Sequence, residues 1–170
     1  PFDTTGYTVE CGTITIDGDG PDSDPVVVTF ARFVAFGDAA QDPVVYLHGG
    51  PGGGILESAD WFTSSIVDPF LAERDVILYD QRGAGVSSPL PSCREAWTLD
   101  DRFFAAGEAH DEIEGDYVDT LRRCADRVEA RDDFDLANYH SAVHADDLLD
   151  LIRALGHETV NLYGSSYGSS

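Results

Sequence analysis

The stretch Val160–Gly168, with the sequence VNLYGSSYG, decides the fold of this chain. The apolar run Val160–Tyr163 leads directly into a G-x-S-x-G turn, Gly164–Gly168. This order is typical of a nucleophile elbow, in which a strand turns sharply into a helix and exposes a serine. Glycine and serine are also common in ordinary loops, so the motif needs support from elsewhere in the chain. It nominates Ser166 as a nucleophile, which a general base would have to activate.

A glycine-rich loop supplies that support. The apolar run Val44–Leu47 precedes the loop His48–Gly54, HGGPGGG, in which missing side chains let backbone amides approach a ligand. Hydrolases of acyl bonds aim two backbone N–H groups at the developing oxyanion. We predict Gly50 and Tyr167 as these donors, with Gly49 as the alternative to Gly50. A tight turn or a phosphate cradle is the other interpretation, although a P-loop is excluded because the chain has no lysine.

A third segment lies between the glycine loop and the elbow. The buried-strand run Val76–Tyr79 ends in a charged turn, Asp80–Ser87, with the sequence DQRGAGVS. Asp80 and Arg82 could each act in catalysis. At the end of a strand, however, such residues more often bond loop backbone groups or pair with each other, and we expect that supporting role.

Together the three segments resemble the α/β-hydrolase fold, and more narrowly the serine peptidase family of the prolyl aminopeptidases and the secreted tripeptidyl-aminopeptidase-like enzymes. That family carries HGGPGG after the third strand, DQRGxGxS after the fourth and GxSYG after the fifth, in this order. The resemblance extends from about Tyr7 to the end of the chain, but it covers only the N-terminal part of the family's catalytic domain. His48 departs from the secreted branch, where Asn or Glu is frequent, and leans toward the prolyl aminopeptidases; it is a further supporting residue of the loop.

The resemblance implies an α/β fold with the first five strands of the hydrolase sheet. We expect an N-terminal β-hairpin, a mainly parallel sheet and flanking helices, with residues 1–170 as the N-terminal part of one catalytic domain. The predicted strands are, in order, Tyr7 to Ile16, Pro25 to Phe36, Pro43 to Leu47, Asp75 to Tyr79 and Thr159 to Tyr163.

The rest of the catalytic machinery is expected outside this sequence. In this fold the nucleophile precedes the acid and the histidine along the chain, so both partners of Ser166 and the cap would lie beyond Ser170. The segment alone is then inactive, its fifth strand is an exposed edge, and a second chain or segment completes the fold. Each histidine within the chain is expected to be a surface or packing residue: His48, His110, His140, His144 and His157.

Three helices are predicted. Asp68 and Pro69 suit an N-cap and a first helical position, which predicts a short helix from Pro69 to Glu73. Apolar residues recur at helical spacing from Tyr117 to Val128, with Asp116 in the first turn. The last helix runs around Ser141 to Leu155 and ends at Gly156 in a left-handed cap. Its expected sheet-facing residues are Ala145, Leu148, Leu149, Ile152 and Leu155.

The chain is strongly acidic, with a formal net charge of −22. This charge disfavours nucleic acid as a partner, because phosphate binding needs cationic side chains. It is consistent with a salt-adapted or acid-tolerant secreted enzyme, or with a merely acidic mesophilic protein. No run is long and apolar enough to span a membrane. With no signal peptide and no initiator Met, we expect the chain to be a mature or trimmed form, and we predict a secreted or periplasmic location.

Three cysteines leave one unpaired. Cys93 and Cys124 flank an irregular region and are the candidates for one disulfide, with two reduced thiols as the alternative. Cys11 would pair with a cysteine elsewhere or be a small buried side chain. The aspartates of the Asp17–Asp24 turn lack the glutamate that closes an EF-hand, so no metal and no cofactor is predicted.

The resulting hypothesis is a serine aminopeptidase that acts on the N-terminal end of a short peptide through an acyl-enzyme. A carboxylesterase of the same fold is the alternative within enzymes. A non-catalytic fragment that acts through partner binding or assembly is the alternative outside them. An epoxide or haloalkane hydrolase is disfavoured, because such enzymes place Asp where Ser166 stands.

Overall fold

Five strands form one sheet in the order β1-β2-β4-β3-β5. The computed structural model that shows them describes residues 5–17, 25–37, 39, 42–88, 93, 95, 110–131 and 135–170. All five strands lie in one compact unit, Pro1–Leu90 with Asn138–Ser170. Their bounds are β1 Val9–Ile16, β2 Val26–Phe33, β3 Val44–Leu47, β4 Val76–Tyr79 and β5 Asn161–Gly164.

The sheet is mixed. β1 and β2 form the predicted antiparallel hairpin, and β2 also pairs antiparallel with β4. Only β4, β3 and β5 run parallel, with Val45 of β3 opposite both Ile77 and Leu162. Each predicted strand is present, with ends that differ by a few residues. Within these 170 residues, β5 is the last strand in the order, and Leu162 is 59% exposed.

Apolar side chains cover both faces of the sheet. Alternate residues of a strand point to opposite faces, so Tyr46 and Leu78 join one core cluster whereas Val45 and Ile77 join the other. The first cluster packs under the segment between β3 and β4, and the second packs under the last helix. Burying one such aliphatic side chain stabilises a fold by about 1.5–3 kcal/mol. Both faces of β3 and β4 are thus covered, as buried parallel strands require.

In the segment between β3 and β4, the helical residues come before the range that the sequence predicts. It contains a 3-10 turn, the helix α1 and one π-helical turn: Leu56–Ser58, Ala59–Phe62 and Thr63–Val67. The predicted helix from Pro69 to Glu73 is wrong, because these residues form turns. Asp68 closes the π turn by donating its N–H to the Thr63 carbonyl at 3.0 Å, and its carboxylate accepts from the Tyr7 hydroxyl at 2.7 Å. Asp68 therefore ends a helix instead of capping a new one.

The last helix of this unit, α3, spans Ser141–Ala154 and ends where predicted. Gly156 has φ +79°, its N–H donates to Arg153 O at 3.0 Å, and the His157 N–H donates to Ile152 O at 3.1 Å. These two bonds form a Schellman cap, which requires a left-handed residue after the helix.

The predicted inner face of α3 is partly wrong. Leu148 and Ile152 are buried as expected, but Ala145 is exposed, Leu149 is 46% exposed, and Leu151 is buried instead. Asp147 is also buried. Residues spaced three or four apart share one side of a helix, so a face that includes Asp147, Leu148 and Leu151 turns Leu149 toward solvent.

The second compact unit, Pro91–Ala137, contains the helix α2, His110–Glu129. This helix begins before Asp116, where the sequence predicts its first turn. The predicted disulfide between Cys93 and Cys124 is confirmed, with 5.7 Å between the two Cα atoms. Arg127 also pairs with Glu95 at 2.7 Å. A 3-10 turn, Leu136–Asn138, follows along the chain.

Cys11 is free and exposed on β1. The expectation that it is a small buried side chain is therefore wrong. Along β1, Cys11 shares the exposed face with Thr13 and Thr15, whereas Gly12, Ile14 and Ile16 alternate to the less exposed face.

Candidate active site

The turn after β5 has the geometry of an elbow. Ser165 is extended at φ −124°, Ser166 lies in the left-handed region at φ +53°, and a 3-10 turn, Ser166–Ser169, follows. Among the described residues, Ser166 alone is a non-glycine residue with positive φ. Such a conformation destabilises a residue by about 1–3 kcal/mol, so the surrounding structure has to hold it. The side chain of Ser166 is exposed, as a nucleophile requires.

The turn is held against the end of β3. The Ser165 N–H donates to Leu47 O at 3.1 Å, and the Gly168 N–H donates to Ser165 O at 2.9 Å. A Cβ at position 168 would collide with the carbonyl of Leu47. The second glycine of the motif is therefore needed for close packing.

The glycine-rich loop lies directly against Ser166. A Cβ at Gly49 would stand 2.9 Å from Ser166 Cβ, 3.0 Å from Ser165 O and 3.5 Å from Ser166 Oγ. Gly50 follows at φ +140°, and a Cβ there would stand 2.6 Å from the Gly53 nitrogen. The fold thus brings together the two segments from which Ser166, Gly50, Gly49 and Tyr167 were predicted. Their roles remain predictions.

His48 packs within the loop. Its ring centroid lies 5.8 Å from that of Tyr46 and 6.0 Å from that of Phe62, and its Nδ1 is buried without a hydrogen-bond partner. Burial lowers the pKa of His48, and the nearby Asp80 charge opposes the shift. The imidazole is therefore neutral at neutral pH and fills space under the glycine loop.

Asp80 joins two loops. One carboxylate oxygen accepts the N–H groups of Ile55 at 2.6 Å and Leu56 at 3.2 Å, and the other accepts that of Val86 at 2.9 Å. Asp80 is buried, and burial raises its pKa while these three N–H groups act in the opposite direction. Asp80 thus fixes the end of the glycine loop to the turn after β4, as expected for a residue that satisfies backbone groups.

Arg82 pairs with a residue that sequence reasoning did not identify. Its guanidinium donates to Asp147 of α3 at 2.7 Å from Nε and 2.6 Å from Nη2. The sequence did contain a sign of this pairing, because Asp147 lies on the side of the helix that also carries Leu148 and Leu151. A charged residue on a buried face indicates a buried partner.

Two further polar residues of α3 reach the elbow. Ser141 Oγ donates to the Tyr167 hydroxyl at 3.1 Å, and His144 Nδ1 lies 3.4 Å from the same hydroxyl oxygen. A cavity of about 180 Å³ borders this cluster. Sequence reasoning assigned neither residue to the site, although both precede Leu148 on one side of the helix.

No histidine within the described residues hydrogen-bonds to Ser166 Oγ. His144 contacts Tyr167 instead, and the Nε2 atoms of His144 and His157 are buried without a hydrogen-bond partner. The side chain of His110 lies outside the described part of the structure. The chain thus presents an exposed serine beside a glycine loop, without a histidine partner in the described ranges.

The described ranges contain no group of His, Cys, Asp or Glu side chains that could hold a metal ion. Residues 18–24, which include most of the acidic hairpin turn, lie outside those ranges. No helix in the described part of the chain combines the length and apolarity needed to cross a bilayer.

Sequence comparisons find similar proteins. A family model described as alpha/beta hydrolase fold matches residues 42–170. A probable proline iminopeptidase of Leptolyngbya boryana is 44% identical over 64 residues, which are 38% of this chain and 18% of that protein. A proline iminopeptidase of Arabidopsis thaliana is 47% identical over 58 residues, 34% of this chain and 14% of that protein. The matches therefore span less than a fifth of these relatives.

Solved structures show similarity over most of this chain. A proline iminopeptidase-related protein of Thermus thermophilus superposes with a TM-score of 0.48 at 20% identity, over 95% of this chain and 37% of that one. An epoxide hydrolase of Vigna radiata superposes with a TM-score of 0.48 at 15% identity, over 95% of this chain and 33% of that one.

Proposed function

Because the chain belongs to the α/β-hydrolase fold family, we propose that it carries the nucleophile and the oxyanion hole of a serine hydrolase. Ser166 is the proposed nucleophile. The observation that carries the proposal is the contact between two distant segments: the exposed Ser166 at φ +53° stands against Gly49 of the glycine loop. A non-glycine residue at a positive φ costs about 1–3 kcal/mol and persists only where the surrounding structure holds it, and such residues cluster at active sites.

The proposed reaction is acyl transfer. Ser166 Oγ attacks the carbonyl carbon of the substrate, and its proton passes to a histidine. The N–H groups of Tyr167 and of Gly50, or of Gly49 in its place, hold the negative oxygen of the tetrahedral intermediate. The amine leaves with the proton, and water then releases the acyl group from Ser166.

We place the histidine and its carboxylate partner in a segment outside these 170 residues. The chain order of the fold supports this placement, since the acid and the histidine follow the nucleophile. The lack of any histidine bonded to Ser166 among the described residues supports it as well. On this proposal residues 1–170 are part of one catalytic domain.

The proposed substrate is a peptide with a free N-terminal amine, from which the enzyme releases the first residue or a short peptide. The two curated relatives, both named proline iminopeptidases, support a preference for N-terminal proline. The net charge of −22 favours approach of a cationic α-amino group. We also propose a secreted or periplasmic location, which the Cys93–Cys124 disulfide supports because such bonds persist in oxidising compartments.

A fluorophosphonate probe on the full-length protein tests the nucleophile. We expect covalent labelling at Ser166 by peptide mapping, and loss of both labelling and turnover in Ser166→Ala by about 10⁴-fold or more. Ser64→Ala, which changes an exposed serine of the π turn, is the matched control and should retain both. A folded protein that is not labelled at Ser166 contradicts the hydrolase and leaves a role in partner binding.

The substrate class needs a separate comparison. We expect hydrolysis of prolyl 4-nitroanilide and no hydrolysis of its N-acetylated counterpart, because the amine is part of what is recognised. Simple 4-nitrophenyl esters provide the contrast. A protein that is labelled at Ser166 but cleaves only the esters is a carboxylesterase, and the aminopeptidase proposal is then wrong.

A further inference from the structure

The side chain of Tyr167 is hydrogen-bonded to the start of α3. Tyr167 follows Ser166 in the chain, yet its hydroxyl lies 3.1 Å from Ser141 Oγ and 3.4 Å from His144 Nδ1. The Tyr167 and His144 rings also meet edge to face, with centroids 6.1 Å apart and an interplanar angle of 84°. Two hydrogen bonds and one ring contact therefore fix one side chain.

A phenol oxygen can accept a hydrogen bond from one neighbour and donate its proton to another. Ser141 donates to the phenol oxygen, so the phenol proton is free to point at His144 Nδ1. An accepting Nδ1 places the imidazole proton on Nε2, which is buried without a hydrogen-bond partner. Burial lowers the pKa of His144, and among its charged neighbours Asp147 opposes the shift while Arg82 and His140 add to it. A neutral, accepting His144 is consistent with all of these contacts.

The peptide next to Ser166 needs such support. The residue before Tyr167, Ser166, is held at an unfavourable positive φ at the start of the turn. An oxyanion donor acts only when its N–H points at the developing charge within a few tenths of an ångström. A side chain that is fixed at its far end restricts the rotation of its own peptide.

We infer that Ser141 and His144 are positioning residues that hold the Tyr167 ring, and through it the Tyr167 N–H, in line with the oxyanion. The inference rests on the proposed function, because it gives a role to the oxyanion donor of that reaction. In this role Ser141 and His144 contact the Tyr167 side chain. Both act through Tyr167, so their effect belongs to the transition state and not to substrate binding.

Tyr167→Phe in the full-length protein is the main test. The change removes both hydrogen bonds of the hydroxyl but keeps the ring and the backbone N–H. We expect kcat to fall by about tenfold to a hundredfold with KM unchanged, and the rate of fluorophosphonate labelling to fall by the same factor, because the phosphoryl oxygen occupies the oxyanion hole. Ser141→Ala should show a smaller loss of the same kind.

His144 variants separate positioning from packing. His144→Phe keeps a ring but removes Nδ1, so it should reproduce the loss seen in Tyr167→Phe. His144→Asn returns an acceptor near the Nδ1 position and should recover part of kcat. His140→Phe, the same change at an exposed position next to the start of α3, is the matched control and should leave kcat unchanged.

The outcomes are distinct. Wild-type kcat in Tyr167→Phe, or a rise of KM alone, overturns the positioning role while labelling of the wild type at Ser166 leaves the proposed function standing. Absence of labelling in the wild type overturns both. If His144→Phe fails to fold, as thermal unfolding would show, Tyr167→Phe decides the matter, because it keeps every apolar contact of the ring.

Discussion

Arg82 and Asp147 form a buried bidentate ion pair that joins the turn after β4 to the helix α3. The two hydrogen bonds measure 2.7 and 2.6 Å, and the side chains are 3% and 2% exposed. The turn that carries Arg82 also contains Val86, whose N–H is held by Asp80. The pair therefore holds α3, with its Tyr167 contacts, close to the loops around Ser166.

Loss of one partner of this pair should strongly destabilise the protein. Arg82→Met leaves the Asp147 carboxylate buried without its counter-ion, and we expect the free energy of unfolding to fall by about 3–5 kcal/mol. Urea denaturation measures this. Arg153→Met is the control, because Arg153 and Asp150 form an exposed pair with side chains that are 70% and 46% exposed. A loss as small as that of the control contradicts the prediction.

The apolar double variant Arg82→Met with Asp147→Leu sharpens the test. Replacing both charges by apolar side chains removes the uncompensated carboxylate, so most of the lost stability should return. A double variant that is no more stable than Arg82→Met shows that something other than the buried charge causes the loss.

A methyl group on Gly49 should slow the reaction at Ser166. It would stand 2.9 Å from Ser166 Cβ and 3.0 Å from Ser165 O, closer than side-chain atoms normally approach. Because either the elbow or the glycine loop has to move, we expect Gly49→Ala to lower the rate of fluorophosphonate labelling by at least about tenfold. Gly37→Ala introduces the same methyl group where no atom lies within 4 Å, and it should label at the wild-type rate. Equal rates for both variants would be inconsistent with the contact.

The features that could be predicted from the sequence are those that local composition determines. The Gly-Ser turn, the glycine loop and the Asp80 turn each occupy one short segment, because a sharp turn or a close backbone approach needs particular residues at fixed positions. The left-handed end of α3 at Gly156 was predictable for the same reason. These local rules were enough to predict that Ser166 and the glycine loop lie at the same end of the sheet.

Contacts between distant segments were not predictable in this way. The pairing of Arg82 with Asp147, and that of Tyr167 with Ser141 and His144, depends on how α3 is rotated on the sheet. Periodicity alone placed Leu149 on the inner face, because every leucine counts equally in an apolar pattern. The helix start predicted at Asp68 and Pro69 is wrong because residues that suit the beginning of a helix lie here where the preceding helical segment ends.

Stability should fall as the pH falls below 6.5. Burial lowers the pKa of both His48 and His144 from the ordinary value of 6.5. The unfolded chain therefore takes up protons at a higher pH than the folded protein does, which stabilises the unfolded state progressively as the pH falls from 6.5 through the lower folded values. Urea denaturation between about pH 7.5 and 5 should show this slope, and a shallower one in His144→Phe. An NMR titration in which His144 protonates at or above 6.5 contradicts the prediction.

The disulfide should contribute substantially to stability. It closes a loop with a sequence separation of 31, and the chain-entropy model gives about 3–4 kcal/mol for a loop of that length. We expect the double variant Cys93→Ser with Cys124→Ser to unfold at a correspondingly lower urea concentration. Alkylation followed by peptide mapping checks the pairing: Cys11 should react in the native protein, and the other two only after reduction. Alkylation of all three without reductant is the contrary result.

Alanine substitutions at two glycines with equal free space should change the stability of the protein in opposite directions. A Cβ at Gly115 of α2 or at Gly156 after α3 meets no atom within 4 Å. Gly115 lies inside a helix, where alanine is favoured over glycine by about 0.5–1 kcal/mol, so Gly115→Ala should stabilise the protein by that amount. Gly156 has φ +79°, which an L-residue adopts only with strain, so Gly156→Ala should destabilise it by about 1 kcal/mol. Neither methyl group makes a contact. If urea denaturation shows that both substitutions change the free energy of unfolding in the same direction, backbone conformation does not govern the stability at these two positions.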